Sequence, residues 1–166
     1  MTVTITNSAR IKDYRSILGN TITIITGYDE KISLHDSNAS ILKKTINAGQ
    51  GFIIEDTTLT TAEDIYDTIT NPNDFNHNEK AVWKTKIAYH SGYMIHFFEG
   101  ILYGHIEIDP SIPAEKLLFG DIFIPVGYKL SVTEIENKKD LPFKNARQLA
   151  LTKLLLGESY HVEMLK

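Results

Sequence analysis

The sequence predicts a mixed α/β fold, in which helices cross over between parallel strands and an antiparallel meander follows. The first observation is the order of the early segments, where strand-type apolar runs at 2–7, 21–26 and 51–57 enclose two segments with helical spacing. The second is the stretch 81–109, whose β-rich runs are separated by X-Gly pairs typical of hairpins. The third is a length of 166 residues with 42% hydrophobic residues, which suits one domain over 1–166.

Both crossover helices have sequence signals at their ends. The first is predicted to start after Ser8 as N-cap and to stop before Gly19. The second is predicted to start at Ser37 or Asn38 and to stop before Gly49. A helix between two strands brings the second strand back parallel to the first, so these signals favour a sheet with parallel strands.

The rest of the chain predicts further elements. The segment 61–69, TAEDIYDTI, is expected to be helical. The runs in 81–109 are expected to form three strands, with turns at Ser91-Gly92 and Glu99-Gly100. A short apolar strand and a Pro/Gly turn are expected in FGDIFIPVGY, and 145–157 is expected to close the domain as an amphipathic helix.

Composition excludes several classes of protein. The formal charge is −4 with 23% charged residues, so no general basic field favours duplex nucleic acid as a partner. No apolar run approaches the roughly 18 residues that a membrane-spanning helix needs. Cysteine is absent, which excludes disulfides, thiolate chemistry and Cys-type zinc sites. The N-terminus lacks the features of a signal peptide, and we expect a cytoplasmic protein that does not associate with membranes.

An acidic pair follows a buried-type strand. The apolar residues 52–54 lead directly into Glu55 and Asp56. Carboxylates are costly to bury unless a cation or hydrogen-bond donors receive them. Mg²⁺ commonly binds one or two carboxylates together with substrate phosphates, so the pair is a candidate magnesium site. Surface charges at the start of a loop are the alternative that the residues leave open.

Two basic regions could receive an anion. Asn7 and Arg10 lie at the first strand–helix junction, where free amides and a guanidinium favour phosphate. Taken alone, these residues are more typical of an ordinary helix cap with an exposed arginine. Lys144 and Arg147 belong to a basic cluster before and within the last helix, which is either solvated or close to a carboxylate site.

Taken in order, these segments resemble the Ham1 family, the inosine triphosphate pyrophosphatase-like enzymes that cleave non-standard purine nucleoside triphosphates. The resemblance covers most of the chain and is strongest in EDTTL (55–59) and in PVGY (125–128) after FGDIF. It implies a three-layer α/β/α fold with an elongated mixed sheet. It also implies hydrolysis of a nucleoside triphosphate to the monophosphate and pyrophosphate with Mg²⁺, and a homodimer. The aromatic run YMIHFF (93–98) is expected to supply an apolar interface.

The resemblance also implies roles for residues in the first half of the chain. Asn7 matches the start of an Asn-x-x-Lys phosphate motif, in which Arg10 replaces the lysine and changes the geometry of the cation. Lys43 matches a lysine of the second helix, while Asn38 stands where the family has a glutamate. These matches imply that Asn7, Arg10 and Lys43 bind substrate.

For the acidic pair, the resemblance implies metal binding by Glu55 and Asp56, with Asp56 as the catalytic carboxylate. Thr57 falls at a position that contacts substrate in the family. Water would then be oriented or deprotonated for attack at the α phosphorus of the triphosphate.

Two later motifs match in part. Phe119 and Asp121 stand in the base-reading loop, where the family's additional aromatic residue and proline are missing. Arg147 matches the arginine of a Ser-His-Arg motif in which Ala146 replaces the histidine. Phe119, Asp121 and Arg147 are therefore implied as substrate-binding residues. The departures leave two alternatives open: a hydrolase of the same fold acting on another nucleotide or phosphorylated substrate, and a non-catalytic nucleotide-binding or assembly protein.

Overall fold

A computed structural model describes residues 2–5, 8–26, 37–139 and 142–165. The strands in these residues are β1 (Thr2–Ile5), β2 (Thr23–Thr26), β3 (Phe52–Thr60), β4 (Ile65–Tyr66), β5 (Lys80–His90), β6 (Met94–Ile106), β7 (Phe123–Pro125) and β8 (His161–Met164). The helices are α1 (Ser8–Leu18), α2 (Ser37–Ala48), α3 (Phe119–Ile122), α4 (Val132–Lys138) and α5 (Ala146–Leu156). None of these helices is both long enough and apolar enough to cross a membrane.

One mixed sheet contains all of these strands. Its order is β2-β1-β3-β5-β6-β7, with β4 paired to β3 and β8 paired to β6. Strand β1 is parallel to both β2 and β3, and Val3 lies opposite Ile24 on one side and Ile53 on the other. Strand β6 is antiparallel to β7 and β8. The predicted parallel strands with crossover helices are thereby confirmed.

The chain divides into two compact units, and the first comprises residues 1–56, 85–100 and 146–166. One face of its part of the sheet packs against α1 and α5, with a buried core of Tyr14, Leu18, Ile22, Ile53, Ile87, Ala150 and Leu151. The other face packs against α2, with a buried core of Ile41, Ile54, Ala88, Ile95 and Phe97. Helices therefore cover both faces, which confirms the predicted three layers.

The second unit comprises residues 57–84 and 101–145. At its centre Trp83 makes edge-on contacts with the rings of Phe119 and Phe123, with centroid distances of 6.1 and 5.7 Å. Helix α4, which the sequence analysis did not predict, starts with a capping box between Ser131 and Glu134. The prediction of a single domain stays a prediction.

The predicted helix at 61–69 is wrong. The side-chain oxygen of Thr61 accepts hydrogen bonds from the backbone N–H groups of Glu63 and Asp64, at 3.2 and 3.4 Å. The carboxylate of Asp64 accepts a further bond from the N–H of Ile65 at 2.8 Å. These local bonds compete with helix formation, and the following residues pair with β3 as β4.

The predicted turn at Glu99-Gly100 is also wrong, because β6 continues through both residues. A Cβ atom at position 100 would overlap the carbonyl oxygen of Ala146 and lie 2.6 Å from the backbone nitrogen of Ala150. The glycine thus permits close approach of α5 to the strand, and does not mark a turn. Two strands therefore replace the predicted three in this stretch. This close approach also places the start of α5, and with it Arg147, against the sheet.

Candidate functional site

A buried ionic cluster in the first unit is centred on Glu55 of β3. Arg147 of α5 donates two hydrogen bonds to its carboxylate, from Nε to Oε1 at 2.7 Å and from Nη2 to Oε2 at 3.1 Å. The hydroxyl of Tyr14 donates to Oε1 at 2.9 Å, and Nη1 of Arg10 lies 3.3 Å from Oε2. Donors thus surround the Glu55 carboxylate, whose side chain is only 3% exposed. This arrangement explains how an apolar strand can lead into a buried carboxylate.

A second carboxylate completes the cluster. Arg147 Nη1 donates to Asp13 Oδ2 at 2.8 Å, so this guanidinium bridges carboxylates on β3 and α1. The two arginines and the two carboxylates balance in formal charge. We call this set, Arg10, Asp13, Tyr14, Glu55 and Arg147, the ionic cluster.

The α1 part of the cluster follows from helical spacing. Arg10, Asp13 and Tyr14 stand at i, i+3 and i+4, and therefore lie on one face of α1. The ring of Tyr14 also belongs to the core between α1, α5 and the sheet. The same helix face thereby contributes apolar packing and places polar groups against Glu55.

The cluster fixes the charge states of its members. Burial on its own raises the pKa of Glu55, but the charges of Arg147 and Arg10 and the hydrogen bonds from Arg147 and Tyr14 outweigh it and hold that pKa at about 2. Burial and the neighbouring Glu55 raise the pKa of Tyr14 well above its ordinary value. Burial lowers the pKa of Arg147, but Glu55 outweighs this effect and raises it. At neutral pH, therefore, Glu55 and Arg147 are charged and Tyr14 is a neutral donor.

The lowered pKa of Glu55 predicts a loss of stability in acid. The unfolded chain, with an ordinary glutamate pKa of 4.5, binds a proton that the folded state excludes until about pH 2. The stabilisation that Glu55 gives to the folded state is therefore fully present above pH 4.5. It is lost as the pH falls from 4.5 to about 2, which lowers the free energy of unfolding by about 3 kcal/mol.

Urea unfolding of the wild type and Glu55→Gln between pH 7 and pH 2 measures this contribution. We expect the difference in free energy of unfolding between the wild type and Glu55→Gln to decrease steadily below pH 4.5. A gap that stays constant across that range would contradict the assigned charge state of Glu55.

Asp56 lies on the other face of the sheet. Side chains alternate along a strand, so Ile53 and Glu55 face α1 and α5, whereas Ile54 and Asp56 face α2. One metal ion is therefore not expected to contact both carboxylates. Metal binding by Glu55 stays a prediction, but its contacts favour a different role, that of holding the two arginines. Asp56 is buried as well, with 8% of its surface exposed.

The α2 face carries a lysine that the sequence analysis missed. Lys86 of β5 donates from Nζ to Oδ1 of Asn38, near the start of α2, at 3.0 Å. Alternation along β5 puts Lys86 on the same face as Ala88, which packs under α2. The sequence signal was a lysine alternating with residues of a buried strand. Asp56, Lys86 and Asn38 therefore share the α2 face of the first unit.

Three further residues in the first half of the chain are predicted to bind substrate, namely Lys43, Asn7 and Thr57. Lys43 is exposed on α2 and takes no part in the ionic cluster as far as the structure describes it. Asn7 lies outside the described residues. Thr57 is buried on β3, in the second unit. Their roles in substrate binding stay predictions.

Phe119 and Asp121 have structural contacts within the second unit. The ring of Phe119 is buried against Trp83, and Asp121 Oδ2 accepts a hydrogen bond from the backbone N–H of Leu118 at 2.9 Å, which caps α3. Their predicted part in reading a base also stays a prediction.

The donor set on the α2 face is compatible with magnesium bound together with a substrate. Among the described residues no group of three or more His, Asp or Glu side chains is placed to hold a metal ion. Mg²⁺ does not require such a cage, because it commonly takes one or two protein carboxylates, substrate phosphates and water. Asp56 fits the role of a single protein carboxylate in such a set.

Asp13 and Tyr14 are the members of the ionic cluster that the sequence analysis did not identify as site residues. Tyr14 stands at helical spacing with the apolar residues Ile11, Ile17 and Leu18, and this spacing indicates a core position but not the contact of its hydroxyl. The only available signal was an aspartate three residues after Arg10 and next to a core tyrosine. A carboxylate at this position on an amphipathic helix is ordinary, so the signal is weak.

Comparison with known proteins identifies the fold. No family model and no curated protein sequence matches the chain. Among solved structures, the Ham1 protein of Staphylococcus aureus is similar over 96% of this chain and 100% of its own, with a TM-score of 0.57 and 14% sequence identity. At 14% identity this similarity shows the architecture alone. The chain therefore has a Ham1-like α/β fold.

Proposed function

We propose that this protein is a nucleoside triphosphate pyrophosphatase, which hydrolyses a non-standard purine nucleoside triphosphate to the monophosphate and pyrophosphate with Mg²⁺. The observation that carries the proposal is the acidic pair of β3 within a Ham1-like fold, with Glu55 holding two arginines and Asp56 buried on the opposite face. The family resemblance of the sequence supports it independently of the structural similarity.

Arg10 is the member of the ionic cluster best suited to contact phosphate. Its side chain is 29% exposed, against 11% for Arg147, and its contact with Glu55 is a single one at 3.3 Å. Arg147 keeps Glu55 paired through two hydrogen bonds, so Arg10 can turn toward an anion without leaving a buried carboxylate unpaired. We assign Arg10 to triphosphate binding and Arg147 to positioning. The register of β1 with β3 puts the end of β1, at Ile5, level with Glu55, so a triphosphate lying at this end of β1 would contact Arg10 on one face of the sheet and Asp56 on the other.

Asp56 is assigned to the reaction itself. Its carboxylate accepts a proton from the attacking water, and the water oxygen bonds to the α phosphorus. The bond between the α phosphorus and the α–β bridging oxygen breaks, and pyrophosphate leaves with that oxygen. When bound, Mg²⁺ offsets negative charge on the phosphate oxygens. Asp56 would also hold Mg²⁺ together with the substrate phosphates, and Lys86 adds a positive charge on the same face.

Replacement of Arg10 with alanine should weaken triphosphate binding by roughly 1.5–3 kcal/mol, the range for hydrogen bonds to a charged group. Monophosphate binding should weaken less, since fewer phosphate oxygens reach the arginine. Calorimetric titration with a non-hydrolysable triphosphate measures the change.

Arg15→Ala is the matched control for this titration, because Arg15 is exposed on the same helix and outside the ionic cluster. We expect it to bind like the wild type. Wild-type affinity in Arg10→Ala would show that Arg10 does not contact phosphate.

Asn38 favours a second candidate, a non-catalytic nucleotide-binding protein. It places an amide, bonded to Lys86, where the resembled family has a glutamate. With asparagine in place of glutamate, this face has one carboxylate fewer to bind a metal ion or to accept a proton from water. Such a protein would bind the triphosphate and release it unchanged.

A panel of nucleotides distinguishes the proposals. Inosine, xanthosine and common nucleoside triphosphates, with their di- and monophosphates, are incubated with the protein in Mg²⁺ or EDTA and assayed for pyrophosphate and orthophosphate. We expect Mg²⁺-dependent pyrophosphate release from triphosphates, fastest with the inosine or xanthosine compounds. Orthophosphate release would indicate another hydrolase, and binding without release would indicate the non-catalytic candidate.

A further inference from the structure

Tyr14 is the uncharged member of the ionic cluster, and its hydroxyl shares a carboxylate with Arg10. The hydroxyl donates to Glu55 Oε1 at 2.9 Å, and the same oxygen accepts the bond from Arg147 Nε at 2.7 Å. The other oxygen, Oε2, accepts from Arg147 Nη2 at 3.1 Å and lies 3.3 Å from Arg10 Nη1. Tyr14 and Arg10 therefore contact different oxygen atoms of one carboxylate.

The core holds Tyr14 in place. Its side chain is 1% exposed and belongs to the same cluster of buried side chains as Leu18, Ile53 and Leu151. Burial and the neighbouring Glu55 raise the pKa of its hydroxyl, which therefore stays protonated at neutral pH and donates to the carboxylate. Since the hydroxyl is enclosed in this way, any effect that it has on substrate binding must pass through Glu55.

Glu55 and a bound phosphate compete for Arg10. The contact of Arg10 with Glu55 is longer than those of Tyr14 and Arg147, and the Arg10 side chain is the more exposed of the two arginines. A carboxylate that accepts hydrogen bonds from other donors is stabilised in its charged form, and it therefore holds a further cation less tightly. The bond from Tyr14 thus lowers the cost of moving Arg10 away from Glu55.

We propose that Tyr14 is a positioning residue for triphosphate binding, because its hydroxyl satisfies Glu55 and so makes Arg10 available to phosphate. Since Arg10 contacts phosphate only in the proposed function, this role of Tyr14 rests on that function. Arg10 and Tyr14 are four residues apart on one face of α1. One helix face thereby carries both the cation that binds phosphate and the group that sets its availability.

Tyr14→Phe removes the hydroxyl and keeps the ring in the core. Glu55 then has one donor fewer and should hold Arg10 more tightly. Calorimetric titration with α,β-methylene inosine triphosphate should therefore give a dissociation constant about 3- to 10-fold above that of the wild type. With a hydrolysable triphosphate, KM should rise by a similar factor and kcat should change by less than about 2-fold, since Tyr14 does not contact the reacting atoms.

Tyr89→Phe is the matched control. Tyr89 packs against the same core and is not a member of the ionic cluster, so its variant should bind like the wild type. Wild-type affinity in a folded Tyr14→Phe variant would overturn this role of Tyr14 and leave the proposed function standing. Absence of triphosphate binding in the wild type would overturn both.

The Arg10→Ala background shows whether the effect of Tyr14 passes through Arg10. In that background the loss of affinity caused by Tyr14→Phe should disappear. Urea unfolding tests the same coupling without nucleotide, because Arg10→Ala should cost more stability in Tyr14→Phe than in the wild type. Equal losses of affinity in both backgrounds, or additive losses of stability, would show that Tyr14 has only a structural role and would overturn the proposal.

Arg147→Lys is the second variant, which decides the question if Tyr14→Phe does not fold. Lysine keeps the positive charge but lacks the fork of donors that makes two hydrogen bonds to Glu55. Glu55 should again hold Arg10 more tightly, and triphosphate binding should weaken only where Arg10 is present. A loss that is independent of Arg10, or the failure of both variants to fold, would overturn the proposal by assigning these side chains to stability alone.

Discussion

Replacement of Arg147 with alanine is expected to lower the free energy of unfolding by about 3–5 kcal/mol. Arg147 donates to both Glu55 and Asp13, and its removal leaves two buried carboxylates short of compensating charge. Arg10 cannot replace it, because Arg10 reaches Glu55 by a single contact from a more exposed position. The penalty arises mainly from these carboxylates, and less from lost packing.

Urea unfolding measures the change, with Lys153→Ala on the same helix as the control. A double-mutant cycle with Glu55→Gln identifies the cause. If the cost comes from an uncompensated carboxylate, the double variant should lose clearly less stability than the sum of the two single variants. Additive losses, or a loss below about 1 kcal/mol in Arg147→Ala, would show that Arg147 does not compensate the buried charges of Glu55 and Asp13.

Replacement of Asp56 with asparagine is expected to lower kcat by about 10²–10⁴-fold, the usual contribution of a general base. The change keeps the shape of the side chain and removes its charge, so the fold should be retained. Turnover of the preferred triphosphate and urea unfolding should be measured on the same preparation.

Asp67→Asn, at an exposed aspartate, is the control for loss of a negative charge. A folded Asp56→Asn variant that turns over substrate at the wild-type rate would remove Asp56 from the reaction. An Asp56→Asn variant that fails to fold would show that Asp56 stabilises the folded protein, and another residue would then have to serve as the general base.

The helices that carry the site could be predicted because their ends have local signals. Gly19, Gly49 and Gly157 follow α1, α2 and α5, and each has a positive φ, which glycine adopts at little cost. The predicted helix at 61–69 failed because side chains near Thr61 bond to the backbone locally, a competition that apolar spacing does not reveal.

The strands were harder to predict where tertiary contacts set their limits. Gly100 carries the sequence signal of a turn, yet it lies within β6 because α5 packs against its backbone. Strand β8 was not predicted at all, since its four residues alternate weakly and are mostly exposed. Both features depend on segments that are distant in sequence.

The members of the site were easier to predict than their contacts. Glu55, Asp56, Arg10 and Arg147 were all identified from the sequence. The bond between Glu55 and Arg147 joins residues 92 positions apart, and no local pattern encodes it. The separation of Glu55 from Asp56 follows only once β3 is seen to continue to Thr60, because alternation then places the two carboxylates on opposite faces.

The position of the new oxygen atom tests the proposed reaction most directly. Hydrolysis of the preferred triphosphate in H₂¹⁸O with Mg²⁺, followed by mass spectrometry of the products, shows which phosphorus the water attacks. Attack at the α phosphorus, as proposed, puts the label in the nucleoside monophosphate and leaves pyrophosphate unlabelled. Label in pyrophosphate or orthophosphate, or the absence of any labelled product, would contradict the assignment of this protein as a nucleoside triphosphate pyrophosphatase.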